Sequence, residues 1–301
     1  MTDVTQGNVE TEPSRWDALV DSVRERLGRE PRKRKPHYLF YRHPVPVRVL
    51  HWLNAVILLV MLMSGLQIFN AHPSLYWGNA ADFEHPFIAL RAEGTQENFW
   101  GVTSIGSWKF NTDGWLGASK TGGVQTVRGF PEWATLPAES PSLALGRLWH
   151  LAFAWLLFAN GLAYFGYIFF TRRVKELVPT KDDLKHLPHE IVTHAKLQFP
   201  KGEAAKHYNG LQRLTYFIVL FVLGPLIVLT GLTMSPTMDS VLPFLVWVFG
   251  GRQSARTIHF IVAFSFVGFF IIHMLALFLS APINGLRSMI TGWFAIERDA
   301  P

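Results

Sequence analysis

Four apolar runs constrain this chain more than anything else in it. They cover about 49–69, 148–170, 211–234 and 257–280, and each is long enough to cross a hydrocarbon core of about 30 Å. A soluble fold would have to bury four such helices in one small domain. The 301 residues are 49% hydrophobic and only 17% charged, and the charge is concentrated in the connections. The expectation is an all-α integral membrane protein, a four-transmembrane-helix bundle with flanking amphipathic surface helices.

The connections orient that bundle. Arg32-Lys33-Arg34-Lys35 precedes the first run, and the 171–210 connection carries eight lysines and arginines. Basic connections stay in the cytoplasm. Both termini are therefore expected there, in a bacterial inner (plasma) membrane, with the long connection 70–147 on the periplasmic side. That connection contains Trp77, Trp100, Trp108, Trp115 and Trp133, suited either to a membrane interface or to a partner. The first run begins near residue 49 after a polar leader, so no cleavable signal peptide is expected. The net charge of +6 belongs to span flanks, and no nucleic-acid motif accompanies it. The expected organisation is a basic segment over 1–36 with a short surface helix near 14–27, a membrane domain over 37–295, and a tail over 296–301. A second surface helix is expected over 286–294, and a kink at Gly224-Pro225.

The chain has no cysteine, so any redox group must be held by other ligands. Three spans open with the same pattern: Arg48-Val-Leu-His51, Arg147-Leu-Trp-His150 and Arg256-Thr-Ile-His259. At spacing i, i+3 the two side chains share a helix face. The fourth span also carries His273, fourteen residues beyond His259. Fourteen helical steps return to within roughly 40° of the same face and advance about 21 Å. Ionisable groups at such depth point to function. With alternating span directions, the histidines sort into an inner pair, His51 with His273, and an outer pair, His150 with His259. Two bis-histidine sites at two depths suit two non-covalent b-type haems, with Arg48, Arg147 and Arg256 placed for their propionates. Zinc or copper would gather its ligands at one depth. A haem-free proton or ion transporter remains the rival, although no span core carries an acidic residue.

With these motifs the chain resembles the bacterial di-haem cytochrome b561 family, over roughly 37–295. That family includes the cytochrome b subunits of hydrogenases, formate dehydrogenase and thiosulfate reductase. The resemblance rests on Arg48-x-x-His51-Trp52, His150, His259 with His273, and Tyr208-Asn209-Gly-Leu-Gln212. It implies the same haem pairing and a quinone site near the inner haem. His207, Tyr208, Asn209, Gln212 and Arg213 are the candidates for that site, with helix capping as their alternative role. The expected function is electron transfer between quinone and a periplasmic redox partner subunit, a molybdopterin oxidoreductase fitting best. The alternative is a self-sufficient oxidoreductase acting on superoxide or ferric ion, whose signature would be a basic-lined outer pocket.

Overall fold

In the computed structural model, the described residues are 22, 23, 25, 26, 37–138, 142–200 and 202–297. The surface helix expected near 14–27 lies outside them, apart from those four residues, which are helical. Among the described residues, four helical stretches are long and apolar enough to cross a membrane: Val45–Asn70, Leu143–Phe170, Gly202–Thr233 and Arg252–Ser280. The first two are helices α1 and α2. Lys181–Ala195 forms α3 in the basic connection. The third stretch contains α4 (Gly210–Phe217) and α5 (Gly224–Thr233), joined by a π-helical turn at Ile218–Leu223. Pro225 has no N–H to donate back to Phe221, and the widened turn absorbs that missing bond. The fourth stretch is α6, followed by α7 (Pro282–Thr291).

The chain divides into two compact units. The loop unit comprises Leu50–Tyr167 and Ile218–Phe270. The terminal unit comprises Met1–Val49, Ile168–Phe217 and Ile271–Pro301.

In the loop unit, the long connection folds as β-structure. Strand β1 (His37–Tyr41) belongs to the terminal unit, and here β2 (Ser74–Leu75), β3 (Ile88–Gly94), β4 (Phe99–Ile105) and β5 (Trp108–Asn111) form one antiparallel sheet. Strands β6 (Ala118–Thr121) and β7 (Val124–Val127) form a hairpin. Its two turn residues, Gly122 and Gly123, have φ of 55° and 86°, as a tight hairpin of this hand requires. This small domain is built onto the spans. Leu75, Leu90 and Phe130 share a buried cluster with Leu66 and Phe69 of α1, and Phe260 of α6 packs against it. Each large apolar side chain buried this way contributes about 1.5–3 kcal/mol.

The first turns of α6 clamp the segment after α1. The backbone N–H groups of Gln253 and Ser254 donate to the Gly78 carbonyl at 3.0 and 3.2 Å, satisfying donors that a helix start leaves open. Ser254 Oγ accepts from Gly78 N at 2.7 Å, and Thr257 Oγ1 donates to the Tyr76 carbonyl at 2.6 Å. Gly251 makes this approach possible: a Cβ there would stand 2.3 Å from the Gly78 carbonyl oxygen.

In the terminal unit, β1 (His37–Tyr41) pairs antiparallel with β8 (Trp293–Glu297). The helix expected over 286–294 is therefore corrected: α7 stops at Thr291. Gly292 closes it with φ of 92°, and its carbonyl accepts the N–H groups of Arg42 and His43. A Cβ at Gly292 would lie 2.6 Å from the Tyr41 ring, so only glycine fits. Beyond it, Trp293, Phe294 and Ile296 serve a strand, whose side chains alternate instead of following the helical period.

Candidate functional site

Within the loop unit, His150 on α2 and His259 on α6 face one another. Their ring centroids are 6.3 Å apart, with planes at 64°. Each ring is backed by a buried hydroxyl from a neighbouring span. Ser64 Oγ of α1 lies 3.1 Å from His150 Nδ1, and Thr230 Oγ1 of α5 lies 3.0 Å from His259 Nδ1. Both hydroxyls are fully buried.

These hydroxyls already spend their protons on their own helices. Ser64 donates to the Val60 carbonyl at 2.6 Å, and Thr230 donates to the Leu226 carbonyl at 2.7 Å. Only oxygen lone pairs are left for the rings, so each Nδ1 carries the hydrogen and donates it. That fixes the tautomer with Nε2 bare, the form in which a histidine binds a metal. A metal–nitrogen bond of about 2 Å on either side of a central ion separates two imidazole centres by roughly 6 Å. The spacing and the tautomers therefore both suit two residues that would hold one metal ion between them.

Glycines make room for the rings. A Cβ at Gly65 would approach His150 Cε1 to 3.3 Å, and one at Gly231 would approach His259 Cε1 to 3.4 Å. The same dipeptide, a hydroxyl residue followed by glycine, thus stands on the first and third spans and serves a histidine on the second and fourth. Sequence reasoning missed this repeat, Ser64-Gly65 and Thr230-Gly231.

The other expected residues have varied settings. His51 is in the loop unit, where its ring meets Trp52 edge-on at 5.5 Å, and His273 is in the terminal unit. Near His51, the buried Asn160 of α2 donates to the Leu50 carbonyl and to Asn54, each at 3.3 Å. Arg48 donates to the Ile290 carbonyl, and its Nε is buried without a partner among the described residues. Arg147 is exposed. Arg256 is committed to the clamp: it donates to the carbonyls of Ser74 at 2.8 Å and His72 at 2.5 Å, over the Phe69 ring.

The five quinone candidates lie in the terminal unit. Asn209 caps α4 by accepting from Gln212 N at 2.8 Å, and Gln212 accepts from Asn209 N at 3.3 Å. The Glu190 carboxylate accepts from Gly210 N and Leu211 N. Arg213 donates to Asp183 at 3.2 Å. The Thr180 backbone N–H, then the Thr180 hydroxyl and Arg213, hold the Asp183 carboxyl below its usual range. Tyr208 packs edge-on against Tyr216 under the Arg42 guanidinium, and His207 is exposed. Of the five, Asn209 alone lines a cavity of about 270 Å³, shared with Glu190, Thr193, His194 and Phe199.

Membrane-crossing helices that bring two imidazoles face to face define an integral-membrane protein with a candidate ligand pair inside its loop unit. Residues 42–292 match the family described as prokaryotic cytochrome b561, and the chain belongs to that family. It is accordingly a membrane electron-transfer protein of the b-haem class. It is also similar to a protein of Azospira oryzae (strain ATCC BAA-33 / DSM 13638 / PS) that bears the provisional name protein-methionine-sulfoxide reductase subunit YedZ1. The two are 27% identical over 235 residues, covering 77% of this chain and 87% of that one. No solved structure gives a significant match.

Proposed function

We propose that the chain is the membrane subunit of a quinone-linked oxidoreductase, carrying electrons through two haem b groups to a periplasmic partner. The facing pair His150 and His259 carries this reading, as the two residues that would hold one haem. Haem iron supplies one-electron transfer when bound. The protein's part is to present two bare Nε2 atoms, hold both rings through Ser64 and Thr230, and keep water out with an apolar surround. His51 and His273 are proposed as the second pair on the depth argument from the sequence alone. The quinone site is proposed among His207, Tyr208, Asn209, Gln212 and Arg213; the cavity that Asn209 lines, where its Nδ2 lies 3.2 Å from His194 Nε2, supports this reading.

The relative's name supports a partner that reduces oxidised methionine, a reaction that consumes two electrons and two protons per sulfoxide. A molybdopterin partner comes from the family resemblance. Trp108, Trp115 and Trp133, each 67–71% exposed on the loop unit, offer amphipathic contacts for docking. Direct reaction with superoxide is less well supported. The hollow of about 600 Å³ beside Tyr76 and Trp77 is lined by Asp82 and Glu84, which repel an anion.

The test is spectroscopic. Purified protein should show a reduced-minus-oxidised b-type spectrum, with two haems per chain, and quinol should reduce it. One haem per chain, or no reduction by quinol, would contradict the proposal.

A further inference from the structure

The strongest unexplained group outside the ligand set is Arg128, which follows β7. Its side chain is 6% exposed, and its Nε is buried with no hydrogen-bond partner among the described residues. Its other nitrogens reach only neutral acceptors: Gln67 Oε1 at 3.0 Å, Thr135 Oγ1 at 2.6 Å and the Ala138 carbonyl at 3.5 Å. Among the described residues no carboxylate is in ion-pair contact with it; Glu132, which accepts from Gly122 N, acts on it only across a distance and offsets part of its burial. A buried guanidinium with no carboxylate in contact is costly to keep charged.

The position of Arg128 identifies the missing anion. Gln67 stands three residues beyond Ser64 on α1, which puts it on the same helix face and about 4.5 Å further along. Ser64 is the residue that holds the His150 ring. On α2 the same step recurs: Gly146 is one turn before His150, and a Cβ there would meet Gln67 Cγ at 3.0 Å. The loop is stitched to this face, since Leu136 N donates to the Met63 carbonyl at 3.1 Å. Arg128 therefore sits one helical turn beyond the paired imidazoles, on the side of the long connection. The spans' own arginines are otherwise disposed, with Arg256 bound to carbonyls and Arg147 exposed.

We propose that Arg128 is the binding residue for the carboxylates of the haem held between His150 and His259. A haem's propionates project from one edge of the ring, in the ring plane, and a planar guanidinium matches a carboxylate fork. The β-rich connection is then one wall of the haem pocket, closing it with a charge of its own. This rests on the ligand assignment above for its location.

The test uses holo-protein and reads the propionate-bending bands in the resonance Raman spectrum together with the two midpoint potentials. Arg128→Gln should shift the bands of one haem and lower the potential of that haem, because a lost cation favours the oxidised form. Arg128→Lys should restore the potential in part but not the bands. Unchanged bands in folded Arg128→Gln protein would overturn the inference while leaving the haem reading intact. If Arg128→Gln does not accumulate, Gln67→Glu gives Arg128 an internal carboxylate at constant volume. It should shift the same bands, and no shift overturns the inference. Glu139, outside the described residues, is the control: a Glu139→Gln variant that reproduces the Arg128→Gln changes would also overturn it.

Discussion

The two units use the polar groups of their helices in opposite ways. In the loop unit, Ser64 and Thr230 satisfy their helices and then turn a spare lone pair to a histidine. In the terminal unit, Glu190, Asn209, Gln212 and Asp183 are consumed by helix starts and an ion pair. The first arrangement leaves ring nitrogens available for a ligand. The second mainly holds the α3–α4 connection in shape. Polar residues near a span thus say little by type; what separates function from capping is whether a donor or acceptor remains after the backbone has been served.

This contrast can be broken at the glycines first. Gly231→Val and Gly65→Val push a branched side chain into a ring that a Cβ alone would already approach to 3.4 and 3.3 Å. Each should abolish one haem signal and leave the other, read as haem per chain. Removing the hydroxyls should do less. Ser64→Ala and Thr230→Val leave the rings in place but free to turn, and losing such a support typically costs about 10–100-fold in metal affinity. The affected haem should be lost more readily on dilution and show an altered low-spin EPR signal. Equal effects on both haems would contradict the assignment.

The smallest effect is expected in the terminal unit. Asp183→Asn takes the charge out of the reciprocal cap with Thr180 and out of the bridge to Arg213, weakening both. Losing a cap costs about 0.5–2 kcal/mol. Thermal unfolding should shift to lower temperature while both haem spectra stay unchanged. The pH dependence has a definite sign. The folded pKa of Asp183 lies below the ordinary 3.8, so its stabilisation is present above that value and lost as pH falls through the lower folded pKa. Between neutrality and pH 5 the wild type and Asp183→Asn should keep a constant separation.

Much of the bundle was legible in the sequence because long apolar runs and basic connections obey the bilayer directly. The R-x-x-H openings marked the histidines, since an imidazole inside such a run needs a reason. The same pattern includes Arg256, whose guanidinium also donates to backbone carbonyls. Its task depends on where residues 72–76 fold back, which no local spacing reveals. Ser64-Gly65 and Thr230-Gly231 were readable in principle, as a repeated dyad on alternate spans. They passed unnoticed because small residues in membrane helices usually serve packing. Arg128 could not be found this way: its burial arises from a β-domain whose strands are short and whose core is borrowed from α1 and α6. The end of α7 was misread for a local reason, since Trp293 and Phe294 continue a helical period that Gly292 interrupts.

The central claim is that His150 and His259 hold one and the same haem. The direct measurement is a redox titration of His150→Ala and His259→Ala, followed in the b-type difference spectrum. Both variants should lose the same component, with the same midpoint potential, and keep the other at full amplitude. Loss of different components by the two variants, or loss of neither, would contradict the claim.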